Sequence, residues 1–185
     1  MAKSFREQLY EGLFKPKDRV KGIHVTSLVY ECLRKTVYMN MEPQSPHNKK
    51  TQIVFKLGDG MHSWNILGGD YEKTIEYKVD EGLTIIGTPD EYKDGFLLEK
   101  KTIKFDVSKG DNFKRYYSHY IRQVEAYKVL LESIGKPVKE VAIWFVNKED
   151  EHDYLFSTDE NKLKLRSSEE IKGEIENKAR IVASS

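Results

Sequence analysis

The sequence predicts an α/β protein in which a central mixed β-sheet is flanked by helices. From Tyr71 the middle of the chain alternates polar and apolar residues with the period of two that strands produce. The segments on either side have helical spacing, and an apolar, β-branched segment follows the longest predicted helix. With 185 residues, of which 38% are hydrophobic, the chain can bury one core, so residues 1–185 are predicted to form a single domain.

Helices are predicted on the N-terminal side of the sheet. Residues 4–14 form a short helical segment, and a Thr-Ser pair can cap a second helix over residues 26–38. A loop at residues 41–47 then separates this helix from a third one over residues 51–67. This third helix is expected to present His62 near the core.

Three strands are predicted next, over residues 74–79, 83–88 and 96–105. Short Glu-Gly and Asp-Gly turns separate these segments. Because the connections are so short, we expect an antiparallel meander.

The C-terminal part of the chain returns to a helical pattern before it adds further strands. An amphipathic helix is predicted over residues 115–134, with Gly135 as its C-terminal stop. A buried strand over 138–147, a short edge strand over 154–157 and a charged helix over 167–182 should follow.

Composition limits the possible classes of function. The longest purely apolar run, residues 141–146, is far too short to span a membrane, and the start of the chain has no apolar signal segment, so a cytoplasmic location without membrane association is expected. The single cysteine, Cys32, excludes an intramolecular disulfide and is expected to be a buried thiol. A net charge of +1 gives no general case for nucleic acid binding.

Three charged residues have a spacing that suits metal-assisted chemistry. In a strand, Glu99 and Lys101 point to the same face, and a hairpin can return Asp90 from the preceding strand to a place beside Glu99. Two converging carboxylates suit Mg²⁺ or Mn²⁺. Lys101 could orient a water, hold a phosphate oxygen or, with a lowered pKa, act as a base. Such a pattern also arises by chance, and a surface ladder pair is the alternative interpretation.

Several motifs resemble those of a known superfamily. GTPD at residues 87–90, followed by EKKT at 99–102, resembles the core motifs of PD-(D/E)XK nucleases, which have a restriction-endonuclease-like fold. QVEAY at residues 123–127 resembles the Q-x-x-x-Y motif of the RecB-like branch, and LGDGMH at 57–62 resembles its glycine-then-histidine element. The chain is similar in particular to CRISPR-associated and viral RecB-like exonucleases.

The resemblance implies a site and a reaction. His62, Asp90 and Glu99 would be ligands of Mg²⁺ or Mn²⁺, the backbone carbonyl of Lys100 a further ligand, and Lys101, with Glu99 and Asp90, catalytic. The implied function is metal-dependent hydrolysis of DNA, with exonuclease action on single strands or ends. Protein partners and the oligomeric state stay open.

Residues on the long helix are also implicated. The resemblance implies that Gln123 and Tyr127 contact DNA or support the site, although core packing explains Tyr127 equally well. Tyr116, Tyr117 and Tyr120 could stack on bases of a single strand, but packing explains at least two of them equally well.

One feature of the similar exonucleases is missing here. Those proteins hold an iron–sulfur cluster with a cysteine in the context of Cys32 and three more near the C-terminus. The three are absent from this sequence, so either the chain is a member without the cluster or a C-terminal portion is missing. No iron–sulfur cluster is expected.

Two alternative functions remain. A cap-snatching-like RNA endonuclease would share the histidine, the Pro-Asp pair and the Glu-x-Lys motif, although the Q-x-x-x-Y element disfavours it. The other is a catalytically inactive DNA-binding subunit with a nuclease fold. Its usual signature is loss of a metal ligand or the lysine, and neither is lost here.

Overall fold

The structure is a computed structural model that describes residues 21–30, 32–41, 60–104, 107, 117–147, 152–160 and 162–185. The predicted helix at 4–14, most of the loop at 41–47 and the first part of the helix at 51–67 lie outside these residues. The described helices are α1 (Val25–Leu28), α2 (Leu33–Met41), α3 (Ser118–Ser133) and α4 (Ser168–Ala183). The described strands are β1 (Ile23–His24), β2 (Asp70–Tyr71), β3 (Ile75–Asp80), β4 (Leu83–Gly87), β5 (Glu91–Lys93), β6 (Phe96–Ile103), β7 (Glu140–Asn147) and β8 (Asp153–Ser157).

These strands form two sheets, both of them mixed. The smaller has the order β1-β4-β3, with β1 parallel and β3 antiparallel to β4. The larger has the order β2-β5-β6-β7-β8, in which β6 and β7 are parallel and the other neighbours antiparallel. The prediction of an α/β fold with mixed strand pairing flanked by helices is therefore confirmed, although the strands form two sheets where one was expected.

The predicted three-stranded meander is wrong. Strands β3 and β4 pair as expected, but β6 belongs to the larger sheet, where its neighbours are β5 and β7. Pro89, between β4 and β5, has no amide hydrogen to donate to a sheet, so the ladder is interrupted there. The three-residue strand β5 begins after this interruption and is the antiparallel partner of β6.

Helix α3 joins the two sheets into one core. It packs against β3 of the smaller sheet and against β6 and β7 of the larger one, while α4 packs against α3 and β4. Its buried apolar side chains include Val124, Tyr127, Leu130 and Leu131. Gly135 follows α3 with a φ of +76°, as expected for a helix stop, and Ser167 and Glu170 form the capping box that begins α4.

The predicted helix over 26–38 is instead two short helices, α1 and α2. The carbonyl oxygens of Leu28 and Tyr30, which a continuous helix would use for its own hydrogen bonds, accept from the Lys178 ammonium at 3.0 and 3.1 Å. Cys32 lies in the break between the helices and is exposed, so the expectation of a buried thiol is wrong.

The predicted helix at 51–67 ends early. Residues 60–62 are helical, but the chain turns at Ser63 and continues irregularly to Gly69. The amides of Ile66 and Leu67 donate to the Glu91 carboxylate instead of to helical carbonyls. Within the described residues, no helix combines the length and the hydropathy that crossing a bilayer demands.

Candidate active site

Strand β6 separates its charged residues by simple alternation. Leu97 and Ile103 lie in the hydrophobic core. Because side chains alternate along a strand, Glu99 and Lys101 lie on the same face of β6 as these two residues. Lys100 points to the opposite face. Glu99 is only 1% exposed. A carboxylate in this position is costly unless it is paired or bound, so its presence favours a functional explanation.

The hairpin of β5 and β6 brings Asp90 to Glu99. In the antiparallel pairing of β5 with β6, Glu91 lies opposite Leu98. Asp90 precedes Glu91, so it lies beside the residue that follows Leu98, which is Glu99. The Lys100 amide donates to Asp90 Oδ2 at 2.6 Å. The predicted return of Asp90 is therefore present, with the correction that the strand opposite β6 is β5.

His62 reaches this cluster from a separate segment of the chain. Its Nδ1 lies 2.7 Å from Asp90 Oδ1. Burial by itself would raise the pKa of Asp90, but the His62 hydrogen bond, the Lys101 charge and the Lys100 amide together hold that pKa below its usual value. Asp90 is therefore an ionised, firmly oriented carboxylate.

Glu99 is in the opposite electrostatic situation. Burial and the nearby charge of Asp90 raise its pKa to about 7, although the Lys101 ammonium opposes the shift. Its Oε1 accepts from Lys101. Across the described ranges, Glu99 Oε2 is the only buried side-chain nitrogen or oxygen without a hydrogen-bond partner. Native proteins rarely leave a buried carboxylate oxygen unsatisfied, so this atom marks a place for a ligand.

Lys101 is held between the carboxylates and an aromatic ring. It forms an ion pair with Glu99, and its Nζ lies 5.3 Å from the ring centroid of Tyr120 at the start of α3. Burial would lower its pKa, but Glu99 and Asp90 outweigh burial and raise it. The condition for a lysine base, a lowered pKa, is therefore not met in this arrangement, and the raised pKa favours the ammonium form.

Lys100 has a structural partner on the other face of β6. Its side chain is fully buried and its Nζ lies 2.8 Å from Glu91 Oε1, which is also fully buried. The same ammonium donates to the carbonyl oxygens of His62 and Trp64. This ion pair therefore ties the segment that carries His62 to the hairpin that carries Asp90.

Gln123 and Tyr127 lie inside the protein, next to the segment that carries Asp90. Gln123 Nε2 donates to the Tyr127 hydroxyl at 2.8 Å, and the Thr88 backbone amide also hydrogen bonds to that hydroxyl. Burial and the charge of Glu99 raise the pKa of Tyr127 well above its usual value. Because Thr88 lies just before Pro89 and Asp90, this network helps to hold the carboxylate segment in place. Both side chains are buried, which favours the supporting role over direct contact with DNA.

The donor chemistry of the cluster suits a hard divalent cation. Asp90 and Glu99 supply carboxylates, and the unpartnered Glu99 Oε2 is the oxygen that a cation would satisfy. Over the part of the chain that the structure describes, however, no three His, Cys, Asp or Glu side chains already converge as a metal cluster. The nearest nitrogen donor, His62 Nδ1, bonds to Asp90.

Two residues important to this arrangement were missed by the sequence analysis. Glu91 follows Asp90 directly and belongs to none of the motifs, and the motifs give Lys100 a role only through its backbone carbonyl. The alternation of side chains along β6 is the signal that predicts this pair. It turns Glu99 to one buried face of the strand and Lys100 to the other, and a buried ammonium on that second face requires a partner of opposite charge.

The tyrosines at the start of α3 differ in their surroundings. Tyr117 is buried against Phe145 in the core, so packing explains it, whereas Tyr120 lies beside Lys101.

Comparisons with known proteins show that solved structures share this α/β fold. No family model and no curated protein sequence matches the chain. The crystal structure of the protein SSO0001 is similar with a TM-score of 0.56 and 18% identity, over 95% of this chain and 83% of the other. A "putative exonuclease" from Eubacterium rectale is similar with a TM-score of 0.53 and 10% identity, over 99% of this chain and 86% of the other. At these identities the likeness establishes a shared fold.

Proposed function

We propose that this protein is a metal-dependent nuclease that hydrolyses phosphodiester bonds of DNA at the cluster of Asp90, Glu99 and Lys101. The observation that carries the proposal is the buried Glu99 Oε2, which has no partner although the carboxylate lies beside a second carboxylate and a partly buried ammonium. This combination is not explained by stability, because the unpaired oxygen and the repulsion between the carboxylates both make the free energy of folding less favourable.

The metal would be Mg²⁺ or Mn²⁺, held by Asp90, Glu99 and His62 and, as the sequence resemblance suggests, by the backbone carbonyl of Lys100. When bound, such an ion neutralises phosphate charge and lowers the pKa of a coordinated water. No iron–sulfur cluster is part of the proposal.

Three side chains and one backbone amide have roles in the proposed reaction besides binding the metal. Lys101, a permanent ammonium here, can donate hydrogen bonds to a non-bridging phosphate oxygen and so stabilise the negative charge that accumulates during attack. The Lys100 amide and His62 keep Asp90 in one orientation before substrate arrives. Tyr120 covers Lys101 and limits its contact with bulk water.

The substrate class is the finer part of the proposal. DNA, and exonuclease action on single strands or ends, is favoured by the Q-x-x-x-Y and Glu-x-Lys motifs and is consistent with the exonuclease named among the structural neighbours. We place this activity in the cytoplasm.

The test is cleavage of end-labelled single-stranded DNA, duplex DNA and RNA with Mn²⁺, Mg²⁺ or EDTA. We expect metal-dependent cutting of DNA that is lost in Lys101→Ala, by at least about a hundredfold if the ammonium stabilises transition-state charge. Lys172→Ala, which removes an exposed lysine from α4, is the matched control and should cut like the wild type. The ladder of products would show the polarity of an exonuclease.

A second readout separates binding of the metal from turnover. Mn²⁺ should raise the melting temperature of the wild type, because a ligand that binds only the folded state stabilises it, and Glu99→Gln should abolish the shift. The exposed Glu169→Gln should keep it. Absence of both cleavage and a Mn²⁺ shift in folded wild type would favour an inactive binding subunit, and cutting of RNA alone would favour the RNA endonuclease.

A further inference from the structure

A row of aromatic and basic side chains leads from helix α2 to the proposed catalytic lysine. The Lys35 Nζ lies 3.6 Å from the ring centroid of Tyr30, which stacks on His119 at 6.0 Å with an interplanar angle of 23°. The His119 ring centroid lies 4.0 Å from that of Tyr120, and the Tyr120 ring in turn lies beside Lys101 and packs against Tyr117 and Phe145 of the core. We call this row, made of Lys35, Tyr30, His119, Tyr120 and Lys101, the basic aromatic strip.

The strip is accessible where it leaves the site. Lys35 is exposed, and Tyr30, His119 and Tyr120 are each partly exposed. This differs from the core aromatic cluster below it, in which Tyr117 and Phe145 are buried. Partly exposed rings that stack on one another have no structural need for flanking cations, so the composition of the strip points to a ligand.

The described residues whose charges act on His119 are cations. Burial lowers the pKa of His119, and the nearby charges of Lys101, Lys35 and Arg122 lower it further. Lys101 is already paired with Glu99, the acid that influences Tyr120, so the exposed Lys35 is the cation that a ligand of the strip can contact. A polyanion with flat apolar groups is the complementary ligand.

The backbone under the strip is held in place by partly buried hydrogen bonds. The Tyr30 carbonyl accepts from Lys178, and the neighbouring Val29 carbonyl accepts from Arg122 at 3.3 Å. Tyr30 is therefore fixed between α4 and α3 before any ligand binds, and such preorganisation lowers the entropic cost of binding.

We infer that the basic aromatic strip is the binding track of a single-stranded nucleic acid, whose bases stack on Tyr30 and His119 while its backbone contacts Lys35. Aromatic platforms beside cations are how proteins hold single strands without reading their sequence. The Lys35 ammonium covers one face of Tyr30, but an exposed cation–π contact is weak, so the ammonium can move to a phosphate and free the ring. Duplex DNA keeps its bases stacked and cannot use the rings in this way.

This inference rests on the proposed function, because the strip ends at Lys101, where the scissile phosphate would lie. It selects single strands from the two substrate forms of the proposed function, and it adds the residues that bind the strand and the direction from which the strand approaches the site.

The test is binding of fluorescent oligo(dT) in EDTA, where no cleavage interferes, measured by anisotropy at several salt concentrations. Tyr30→Leu should weaken binding roughly five- to a hundredfold, the effect of one lost base stack, whereas Tyr30→Phe should bind like the wild type. Lys35→Ala should lower the slope of log K against log salt by about 0.7, and the exposed Lys172→Ala should leave it unchanged.

The outcomes for the strip and for the nuclease can be told apart. Wild-type affinity in both Tyr30→Leu and Lys35→Ala would overturn the inference, even if Lys101-dependent cleavage were observed. Strip-dependent binding without any cleavage would support the inference and contradict the proposed function. A preference for duplex over single strands, unchanged in the variants, would also overturn the inference.

Discussion

Two adjacent lysines in β6 have unrelated tasks because a strand turns successive side chains to opposite faces. Lys101 faces the cluster of Asp90 and Glu99, where we propose that its ammonium binds a phosphate. Lys100 faces away and forms a fully buried ion pair with Glu91. Substitution of Lys101 should therefore change the proposed cleavage activity, whereas substitution of Lys100 should change the stability of the fold.

Gly87, the first residue of the GTPD motif, is required by close packing and not by its backbone angles. A Cβ at this position would lie 2.5 Å from Leu130 Cδ2 and 3.1 Å from two ring atoms of Tyr127. We expect Gly87→Ala to lower the free energy of unfolding by about 1–3 kcal/mol, because α3 or the GTPD segment must move. Urea denaturation would measure the change.

Gly173 provides the matched control for this prediction. It lies within α4, is exposed and would bring a new Cβ within 4 Å of nothing. Gly173→Ala should stabilise the protein by about 0.5–1 kcal/mol, since alanine is the better helix former. Equal effects of the two substitutions would show that α3 does not pack closely on Gly87.

At the scale of elements, the hairpin of β5 and β6 and the segment of residues 62–67 behave as one unit. The Lys100 ammonium binds two carbonyl oxygens of this segment, and Glu91 accepts from the amides of Ile66 and Leu67. A buried ion pair adds little stability by itself, but removal of one partner is costly. The pair therefore acts mainly as a specific attachment that positions His62.

We expect Lys100→Met to lower the free energy of unfolding by about 3–5 kcal/mol, because the Glu91 charge stays buried without its partner. The double variant Lys100→Met/Glu91→Gln should recover part of this loss, since the unpaired charge is gone while an acceptor for the amides remains. The exposed Lys139→Met should change stability by less than about 0.5 kcal/mol. A double variant no more stable than Lys100→Met would argue against an electrostatic cost.

Elements with strong local patterns could be predicted from the sequence, and those that depend on distant contacts could not. The apolar stripe of α3 and the capping box of α4 are local signals, and both helices lie close to their predicted bounds. The break between α1 and α2 depends on Lys178, far away in the chain, and the assignment of β6 to the larger sheet depends on pairing with β7. Neither contact has a signal within a short sequence window.

In the candidate site, too, local relations could be predicted from the sequence and distant contacts could not. Asp90, Glu99 and Lys101 could be predicted to meet because one hairpin carries all three. The orientation of His62 could not, since it depends on the Lys100–Glu91 pair and on a direct bond to Asp90. The raised pKa of Lys101 likewise reflects the balance of burial against two carboxylates, which only the packed structure defines.

At the scale of the whole molecule, α4 fastens the first described helices to the core. The Lys178 ammonium bonds to the Leu28 and Tyr30 carbonyl oxygens and to Glu174. Lys178→Met should lower the free energy of unfolding by about 1–3 kcal/mol, because two buried carbonyl oxygens lose their donor. It should also weaken oligo(dT) binding, because Tyr30 is no longer held.

Lys172→Met, in the same helix but exposed, is the control for this change and should affect neither property. Thermal unfolding and anisotropy would be measured on both variants. Full stability of Lys178→Met would mean that solvent replaces the ammonium at these carbonyl oxygens.

The attachment of α4 also has a consequence for protein synthesis. Lys178 and the Leu28 carbonyl it binds are 150 residues apart, and a ribosome makes the chain from its N-terminus. The segment that carries Tyr30 therefore emerges long before the group that fixes it. A nascent chain that has already formed the β5–β6 hairpin would still lack the contact that fixes Tyr30, so the proposed binding of a single strand would begin only after α4 has left the ribosome.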